Sequence, residues 1–421
     1  MSSNEKHITD EADLHAPVAI AWWRDVDVVQ RFISDLVVAE LAVLRRSGAT
    51  LPPLPWPPSL HLHNDLGVDS LEQLQLAAAL AETLHLHESG IADYLMARHT
   101  IAEWVEVAQT GLDQFSASMT FRTSGSTGVA KSCTHALADL WQETEELASL
   151  LSARRRIFSA VPCHHIYGFL FTILLPHALK LTGTPVIDLR RNSPAGMRKI
   201  LQKDDLVIAH PVFWQAAAGM LRGVEEGVVG VTSTAPCPDN VSATLRAAGL
   251  QRLMQIYGSS ETAGIGWRVE ENAPYTLFKH WQRVADQPNG LTRETAVGST
   301  LQVSCPDKLA WADDRHFFPA GRIDSAVQVA GINVFPSAVR QTLLRHPQVT
   351  DAAVRLMRSD EGNRLKAFVV PRDPHFDHAA LQEDLVAWVQ TRLTAAERPK
   401  AFSFGASCPV GPNGKDADWI I

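Results

Sequence analysis

A short polar loop after an apolar stretch constrains this sequence more than any other feature. Residues 123–128 are Thr-Ser-Gly-Ser-Thr-Gly, Lys131 follows them, and Met119 and Phe121 precede them at strand-like spacing. Glycine tolerates positive φ, so the backbone N–H groups of such a loop can turn towards an anion, and hydroxyl and ammonium groups add donors for phosphate oxygens. In a Walker A loop the lysine follows the glycine directly, whereas here Val129 and Ala130 intervene. The phosphate loop (residues 123–131) therefore predicts an anion site, with a polar surface turn as the alternative.

Composition places the chain among globular proteins. Its 421 residues suffice for two or three domains with sizeable cores, and the net charge of −8 provides no basic surface for nucleic acid. Five cysteines without CxxC spacing favour reduced thiols. The polar N-terminus is unlike a signal peptide, and the most apolar run, 166–175, is too short to span a bilayer. We expect a cytoplasmic protein with no nucleic-acid partner and no membrane span.

Four more motifs follow the phosphate loop in a fixed order. They are Pro-Cys-His-His-Ile-Tyr-Gly at 162–168, Tyr-Gly-Ser-Ser-Glu at 257–261, Gly-Arg-Ile-Asp at 321–324 with Gly331, Val334 and Pro336 after it, and Pro-Asn-Gly-Lys at 412–415. Together with the loop they resemble the signature segments of the adenylate-forming superfamily, which includes acyl- and aryl-CoA ligases, luciferases and peptide-synthetase adenylation domains. One such match is weak, but five in order rule out the surface turn.

The resemblance implies an enzyme that joins a carboxylate to the α-phosphate of ATP, with Mg²⁺, and then passes the acyl group to a thiol. Because both partners of the first step are anions, the site has to suppress their repulsion and align them. The resemblance assigns Mg²⁺ to Glu261 and places adenine at Tyr257, within the motif that also contains Gly258 and Ser260. The β- and γ-phosphates are assigned to Thr123, Ser124, Gly125, Ser126, Thr127, Gly128 and Lys131, and the other side of the adenine slot to Ser233, Thr234, Ala235 and Pro236.

Further residues are assigned from the same resemblance. Asp307 lies fifteen residues before Arg322, the spacing of the family's ribose-binding pair, although Pro306 replaces a usual glycine and leaves Asp313 and Asp314 as alternatives. Lys415 is the expected adenylation catalyst, because a flexible ammonium can bridge the carboxylate and the α-phosphate.

Two more positions concern the acid and the movement of the lid. His165 is expected to orient the acid, and His164 is the alternative residue for this role. The structural alternative is that the histidine only packs in the core. Asp324 is expected to be the hinge on which a C-terminal lid pivots between two poses, because hinges are short segments that absorb backbone rotation.

The segment before the phosphate loop has a helical pattern. Apolar residues at helical spacing predict helices over 28–44 and 71–84, and Thr100 with Glu103 predicts a capping box. Over residues 25–112 this pattern resembles an acyl carrier protein, in which Ser70 would bear 4′-phosphopantetheine. Ser70 with Gln73 is itself a capping box, so a structural role for Ser70 stays open.

From about Gln114 strand and helix patterns alternate, with buried strands predicted at 157–162, 184–189 and 205–209 and a helix at 136–151. We expect a multidomain α/β protein. Its parts are a tail (1–24), a small all-α carrier-like bundle (25–112), a truncated α/β adenylation core (113–322) and a mobile α+β C-terminal lid (323–421). The core lacks the family's usual large N-terminal subdomain, which leaves open how that wall of the site is closed.

These features lead us to expect an ATP-dependent ligase of an aromatic acid. The 162–168 segment resembles aryl-CoA ligases more than amino-acid-activating domains, and neither 213–220 nor 233–236 contains an acid that could bind a substrate ammonium. The short chain and the carrier-like start resemble the AMP-ligases of aryl-polyene pigment pathways, which load a hydroxybenzoate-like acid onto an acyl carrier protein. In this protein the carrier is expected to be either the N-terminal segment itself (in cis) or a separate protein (in trans). Transfer to free coenzyme A is one alternative, and a catalytically weak scaffold protein is another.

Overall fold

The computed structural model of the protein describes residues 21–45, 50–123, 131–183, 186–323, 326–358, 360–409 and 417–421. Positions 124–128 of the phosphate loop, the hinge candidate Asp324 and the catalytic candidate Lys415 lie outside these ranges. Within them, no helix combines the length and the apolar character needed to cross a membrane.

Helices dominate the first hundred described residues and alternate with strands afterwards. They are α1 (Val26–Leu44), α2 (Leu62–Leu66), α3 (Ser70–Leu84), α4 (Ile101–Gln114), α5 (Leu137–Leu150), α6 (Ile166–Phe169), α7 (Leu175–Ala178), α8 (Pro194–Met197), α9 (Pro211–Met220), α10 (Asp239–Ala247), α11 (Pro336–Leu344) and α12 (His378–Gln390). Thr100 and Glu103 form the predicted capping box of α4. The capping box predicted for Ser70 and Gln73 is wrong, because Asp69 is the N-cap of α3 and exchanges hydrogen bonds with Glu72.

The strands of the described residues form one large mixed sheet and four small ones. They are β1 (Ser118–Thr123), β2 (Lys131–Ala136), β3 (Ile157–Ser159), β4 (Val186–Asp188), β5 (Leu206–Ala209), β6 (Val229–Thr232), β7 (Arg252–Ser259), β8 (Ala263–Arg268), β9 (Tyr275–Leu277), β10 (Trp281–Arg283), β11 (Gly290–Glu294), β12 (Thr300–Ser304), β13 (Asp307–Trp311), β14 (His316–Arg322), β15 (Val327–Val329), β16 (Ile332–Val334), β17 (Val349–Leu356), β18 (Leu365–Pro371) and β19 (Ala401–Phe404).

The large sheet has the order β13-β14-β9-β8-β7-β6-β5-β3-β4. Strands β4, β3, β5, β6 and β7 are parallel to one another, and the strands beyond β7 pair antiparallel. The predicted buried strands correspond to β3, β4 and β5, but the prediction of burial is wrong for β4, which is half-buried at the edge of the sheet. An α/β core is thereby confirmed, and it places the ends of β6 and β7 at the functional site.

The helices before the phosphate loop pack on one another and also on the large sheet. Phe32 of α1 and Trp22 pack on Phe169, with ring centroids 6.1 and 5.4 Å apart. One continuous cluster of buried side chains joins these helices to a face of the large sheet that includes Ile208, while Val207 faces a second cluster with α9 and α10. The predicted separate carrier-like bundle is therefore not confirmed. Trp22 is fully buried, so the packed part of the chain begins before residue 24, within the predicted tail.

The C-terminal part of the described chain does have its own core. Apolar side chains from β15–β18 and α11–α12 form a cluster separate from both clusters of the large sheet. In the small sheet, β17 pairs antiparallel and β19 parallel with β18. An α+β C-terminal domain is present, and we keep the boundary between residues 322 and 323 as a proposal.

Candidate nucleotide and acid site

The β1–β2 hairpin brings the phosphate loop next to the 257–261 motif. Thr123 and Lys131 are paired across the hairpin at the two ends of the loop. The Nζ atom of Lys131 lies 3.1 Å from Oε1 of Glu261, a residue 130 positions away. Two motifs recognised separately in the sequence therefore meet in the fold.

Glu261 has the charge expected of a residue that binds a cation. Burial opposes its ionisation, but its own backbone N–H group, Lys131 and Ser259 together keep the pKa of Glu261 below its ordinary value. Within the described ranges, no cluster of three or more His, Cys, Asp or Glu residues could hold a metal alone. A single ionised carboxylate fits Mg²⁺, which is commonly bound by one or two carboxylates plus substrate phosphates and retains several waters.

Two polar side chains that the sequence analysis missed hold the turn around Glu261. His135, on β2, donates from Nε2 to the carbonyl oxygen of Ser260 at 2.7 Å. Glu143, on α5, is fully buried and accepts the backbone N–H of Gly264 with both oxygens, at 3.0 and 3.1 Å. A carboxylate on the apolar face of a predicted helix was the signal available for Glu143.

The structure brings Tyr257, Asp307 and Arg322 together. The Tyr257 hydroxyl donates to Oδ2 of Asp307, and Asp307 is the Cα partner of Arg322 in the β13–β14 register. Burial, Cys305 and Asp307 raise the pKa of Tyr257, so its hydroxyl stays protonated.

The two alternatives to Asp307 lie elsewhere in this hairpin. Asp313 accepts backbone N–H groups of Arg315 and His316 in the β13–β14 turn, and the side chain of Asp314 is 94% exposed. Asp307 stays our candidate for the ribose, because it hydrogen-bonds Tyr257 in the described structure, whereas Asp313 and Asp314 lie at the turn of the hairpin.

The turn after β6 forms the other side of the predicted adenine slot. The hydroxyl of Ser233 donates to the carbonyl oxygen of Ile256 at 3.0 Å, which ties the turn to β7. Thr234 has a φ of +79°, an uncommon value for a non-glycine residue. A Cβ atom on Gly331, in the β15–β16 turn, would lie only 2.7 Å from Oγ1 of Thr234. The C-terminal domain thus contacts the slot through a glycine that leaves room for Thr234.

The 162–168 segment folds tightly on itself. A Cβ atom on Gly168 would lie 1.9 Å from the carbonyl oxygen of Pro162, so only glycine fits there. The rings of His164 and His165 are 4.0 Å apart. Both ring nitrogens of His164 are buried without a hydrogen-bond partner in the described structure, and burial lowers its pKa well below the ordinary value. The His165 side chain is exposed, yet the protein around it also lowers its pKa. Both rings are neutral at pH 7.

Helix α1 contacts this segment directly. Asp35 is only 3% exposed. It accepts hydrogen bonds from the backbone N–H of Cys163 at 2.8 Å and from Nη1 of Arg190 at 2.6 Å. Arg190 is also paired with Asp188. The sequence analysis missed Asp35, which is one of two carboxylates, with Glu40, in the helix predicted over 28–44.

Ser70 is exposed at the first turn of α3 and does not cap the helix. Its neighbours Leu71 and Leu74 are also exposed. Gln73 instead donates its side-chain amide to the carbonyl oxygen of Arg98 at 3.0 Å. A role for Ser70 as an attachment site therefore stays a prediction.

Comparison with known families gives two matches. The family model described as "AMP-binding enzyme" matches residues 65–285, and the model described as "AMP-binding enzyme C-terminal domain" matches residues 339–415. The first match includes Ser70 and α3, which we had predicted to belong to a separate domain.

Comparison with individual proteins points the same way. The chain is 38% identical to a 4-coumarate–CoA ligase of Cereibacter sphaeroides, over 87% of each chain. It is 35% identical to a 4-coumarate–CoA ligase of Halorhodospira halophila, over 82% of this chain and 87% of that one. Its fold is similar to o-succinylbenzoate CoA synthetase of Bacillus subtilis, with a TM-score of 0.57, 18% identity and 71% and 67% of the two chains covered. It is also similar to an amide bond synthetase of Marinactinospora thermotolerans, with a TM-score of 0.56, 21% identity and 70% and 67% covered.

Proposed function

Because the chain belongs to the family of AMP-binding, adenylate-forming enzymes, we propose that it activates an aromatic or aryl-acrylic acid as the acyl-adenylate and transfers the acyl group to coenzyme A. The observation that carries this proposal is the meeting of Lys131 with Glu261, beside the Tyr257–Asp307 pair. The names of the two relatives with 35% and 38% identity support the choice of acid and acceptor.

In the first half-reaction, a carboxylate oxygen of the acid attacks the α-phosphorus of ATP. A new O–P bond forms, the bond between the α-phosphorus and the bridging oxygen breaks, and pyrophosphate leaves. Lys131 attracts the departing phosphates, and Lys415 is proposed to bridge the two reacting anions. Mg²⁺ bound at Glu261 would neutralise phosphate charge.

In the second half-reaction, the thiolate of the acceptor attacks the acyl carbon. A C–S bond forms, the C–O bond to AMP breaks, and AMP leaves. We propose that Asp324 is the hinge by which Lys415 leaves the site before this step.

The test of the proposed function is acid-dependent exchange of pyrophosphate into ATP, with 4-coumarate and 4-hydroxybenzoate as substrates. The wild-type protein is expected to exchange with at least one of them. Glu261→Gln is expected to raise the Mg²⁺ concentration for half-maximal exchange by about tenfold or more, since even residues that only orient metal ligands affect metal affinity on this scale. Absence of exchange with any aryl acid would favour the scaffold alternative.

Lys415→Ala separates the two half-reactions. We expect this variant to lose pyrophosphate exchange but to form thioester from a supplied acyl-adenylate, because the ammonium acts only on the first step. Formation of thioester is measured by mass spectrometry. Loss of both half-reactions in a folded variant would contradict the two-pose mechanism.

An acyl carrier protein, in cis or in trans, is the second candidate for the acceptor. The exposed position of Ser70 next to exposed Leu71 and Leu74 favours it. Intact mass after co-expression with a phosphopantetheinyl transferase tests loading in cis: a gain of one phosphopantetheine, absent in Ser70→Ala, would support it. Comparing thioester yield with coenzyme A and with a phosphopantetheinylated carrier decides between the two acceptors.

A further inference from the structure

A buried carboxylate on α1 is connected to the segment that contains His164 and His165. The two oxygens of Asp35 have different partners, because Oδ2 accepts the backbone N–H of Cys163 and Oδ1 accepts from Nη1 of Arg190. A buried carboxylate is tolerated only when its oxygens are hydrogen-bonded and its charge is paired. Asp35 satisfies both conditions through partners that lie more than 120 residues away along the chain.

Other residues on the same side of α1 contact the far end of this segment. Nη2 of Arg31 donates to the carbonyl oxygen of Thr172 at 2.5 Å, within the π-helical stretch Leu170–Leu174. Phe32 packs on Phe169 between these two polar contacts. Residues 31, 32 and 35 of one helix therefore contact residues 163, 169 and 172, on both sides of His164 and His165.

The tight turn after Pro162 makes this support effective. Cys163 directly precedes His164, and the close approach of Gly168 to the Pro162 carbonyl leaves the turn little room for adjustment. A shift of the Cys163 N–H group would therefore move both imidazole rings. Arg190 fixes the carboxylate in turn, because Asp188 pairs with the same guanidinium.

We propose that α1 supplies the missing wall of the acid pocket, and that Asp35 is a positioning residue that holds the Cys163–His165 turn in its substrate-binding geometry. The proposal rests on the proposed function, since the turn orients an acid only if the enzyme activates one. It also answers how a core without the usual N-terminal subdomain is closed: the helical segment before the phosphate loop takes that place as a fixed part of the enzyme.

Asp35→Asn tests the proposal. An amide has one acceptor oxygen and cannot replace both carboxylate contacts, so one of the two partners faces an N–H₂ group. Exposed Asp27, on the same helix, provides the matched control Asp27→Asn. We expect Asp35→Asn to raise the KM for the acid by about tenfold, the equivalent of about 1.4 kcal/mol, and to leave the KM for ATP within about twofold of wild type. Asp27→Asn is expected to change neither value.

Two further measurements separate positioning from general loss of stability. Hydrogen exchange should become faster in a peptide covering residues 160–166 of Asp35→Asn, and stay unchanged in peptides from β6 and β7. Arg190→Gln should also raise the KM for the acid. The KM of the double variant should not exceed that of Asp35→Asn alone, because both substitutions remove the same contact between Asp35 and Arg190.

Three results would overturn the proposal. They are equal changes in the KM values for acid and ATP, an unchanged KM for the acid in a folded Asp35→Asn variant, and additive effects of Asp35→Asn and Arg190→Gln. Failure of the proposed function is recognised separately: wild-type protein would then show no acid-dependent exchange, while the hydrogen-exchange comparison would still report whether Asp35 holds the turn.

Discussion

Buried and half-buried polar side chains organise the site at the scale of single residues. Asp35 supports the turn at Cys163, His135 bonds the carbonyl oxygen of Ser260, and Glu143 accepts the N–H of Gly264. Each links an element outside the recognised motifs to a backbone group inside or next to one. A buried group of this kind is costly unless its partner is in place, so it specifies one backbone geometry.

The first residue-scale prediction concerns Glu143 and pH. Burial, opposed by Arg293 and the N–H of Gly264, raises the pKa of Glu143 from 4.5 to about 8. The folded protein then binds this proton more tightly than the unfolded chain does. The contribution of Glu143 to stability is therefore full below about pH 4.5 and is lost as pH rises to about 8.

Glu143→Gln removes this titration while keeping one acceptor oxygen. We expect the free energy of unfolding of the wild-type protein, relative to Glu143→Gln, to fall between about pH 5 and about pH 8 by up to about 1.4 kcal/mol per pH unit. Urea unfolding at several pH values measures it. Glu145→Gln, at an exposed position of the same helix, is the control. We expect the difference in free energy of unfolding between the wild type and this variant not to change with pH in this way. A difference between wild type and Glu143→Gln that does not vary with pH would contradict the assignment.

The second residue-scale prediction concerns His135. Burial lowers the pKa of His135 although the carbonyl of Ser260 opposes this shift, so the ring is neutral at pH 7 and donates from Nε2. Removal of this donor in His135→Ala should raise the KM for ATP about twofold to twelvefold, since one hydrogen bond contributes about 0.5–1.5 kcal/mol. His135→Gln, which retains a donor, should recover part of the loss. Equal changes in the KM values for ATP and acid would argue against a role specific to the nucleotide.

Two sets of contacts in the C-terminal domain hold the residues on either side of Lys415. The backbone N–H of Ala417 donates to the carbonyl oxygen of Pro409 at 2.9 Å. Lys366 of β18 is fully buried, and its Nζ lies 2.9 Å from Glu361 and 2.8 Å from Asp418. It also donates to the carbonyl oxygen of Trp419 at 2.6 Å. The chain after Lys415 is therefore attached to the domain core by a buried ammonium.

Lys366→Met tests this attachment at the scale of the element. The substitution preserves much of the volume but removes the donor to the carbonyl oxygen of Trp419. Arg358 still pairs with Glu361 and Asp418, so we expect the C-terminal domain to lose only about 1–3 kcal/mol of stability. Hydrogen exchange in β17 and β18 measures the loss. The same substitution at exposed Lys400 should have little effect, and equal destabilisation by the two would contradict the prediction.

The arrangement of cores decides which parts of the whole molecule can fold alone. Helices α1, α3 and α4 share one cluster of buried side chains with the large sheet, whereas the C-terminal domain has a separate cluster. The helices also pack on one another, but part of their apolar surface is covered only by the sheet, and the loss of that cover is large compared with the marginal stability of a domain.

Truncation tests this expectation. A chain of residues 115–421, without the helices, should show no cooperative unfolding of the large sheet, and residues 21–114 alone should not form a stable bundle. Residues 326–421 should give a cooperative thermal transition, which makes them the internal control. Thermal unfolding followed by circular dichroism measures all three. A sharp transition for residues 21–114 would restore the separate carrier-like bundle.

The elements with strong local signals were predictable from the sequence. The helices α1, α3 and α5 lie where apolar spacing places them, within a few residues at each end, and the capping box of α4 lies where Thr100 and Glu103 predict it. The error at α3 is a shift of one position: Asp69 with Glu72 and Ser70 with Gln73 both satisfy the capping pattern. The structure selects the first, because Gln73 lies inside and bonds the carbonyl oxygen of Arg98.

The sequence by itself determined the family, the order of the five motifs and the residue types at the nucleotide site, because phosphate and carboxylate chemistry requires particular side chains in short segments. The tertiary structure decided how those segments meet, including the contact of Lys131 with Glu261 across 130 positions. It also decided the place of the first helices, since amphipathic spacing shows that a face is buried but not what covers it. Asp35 belongs to this second class, because its partners are defined only when α1 packs on the turn at Cys163.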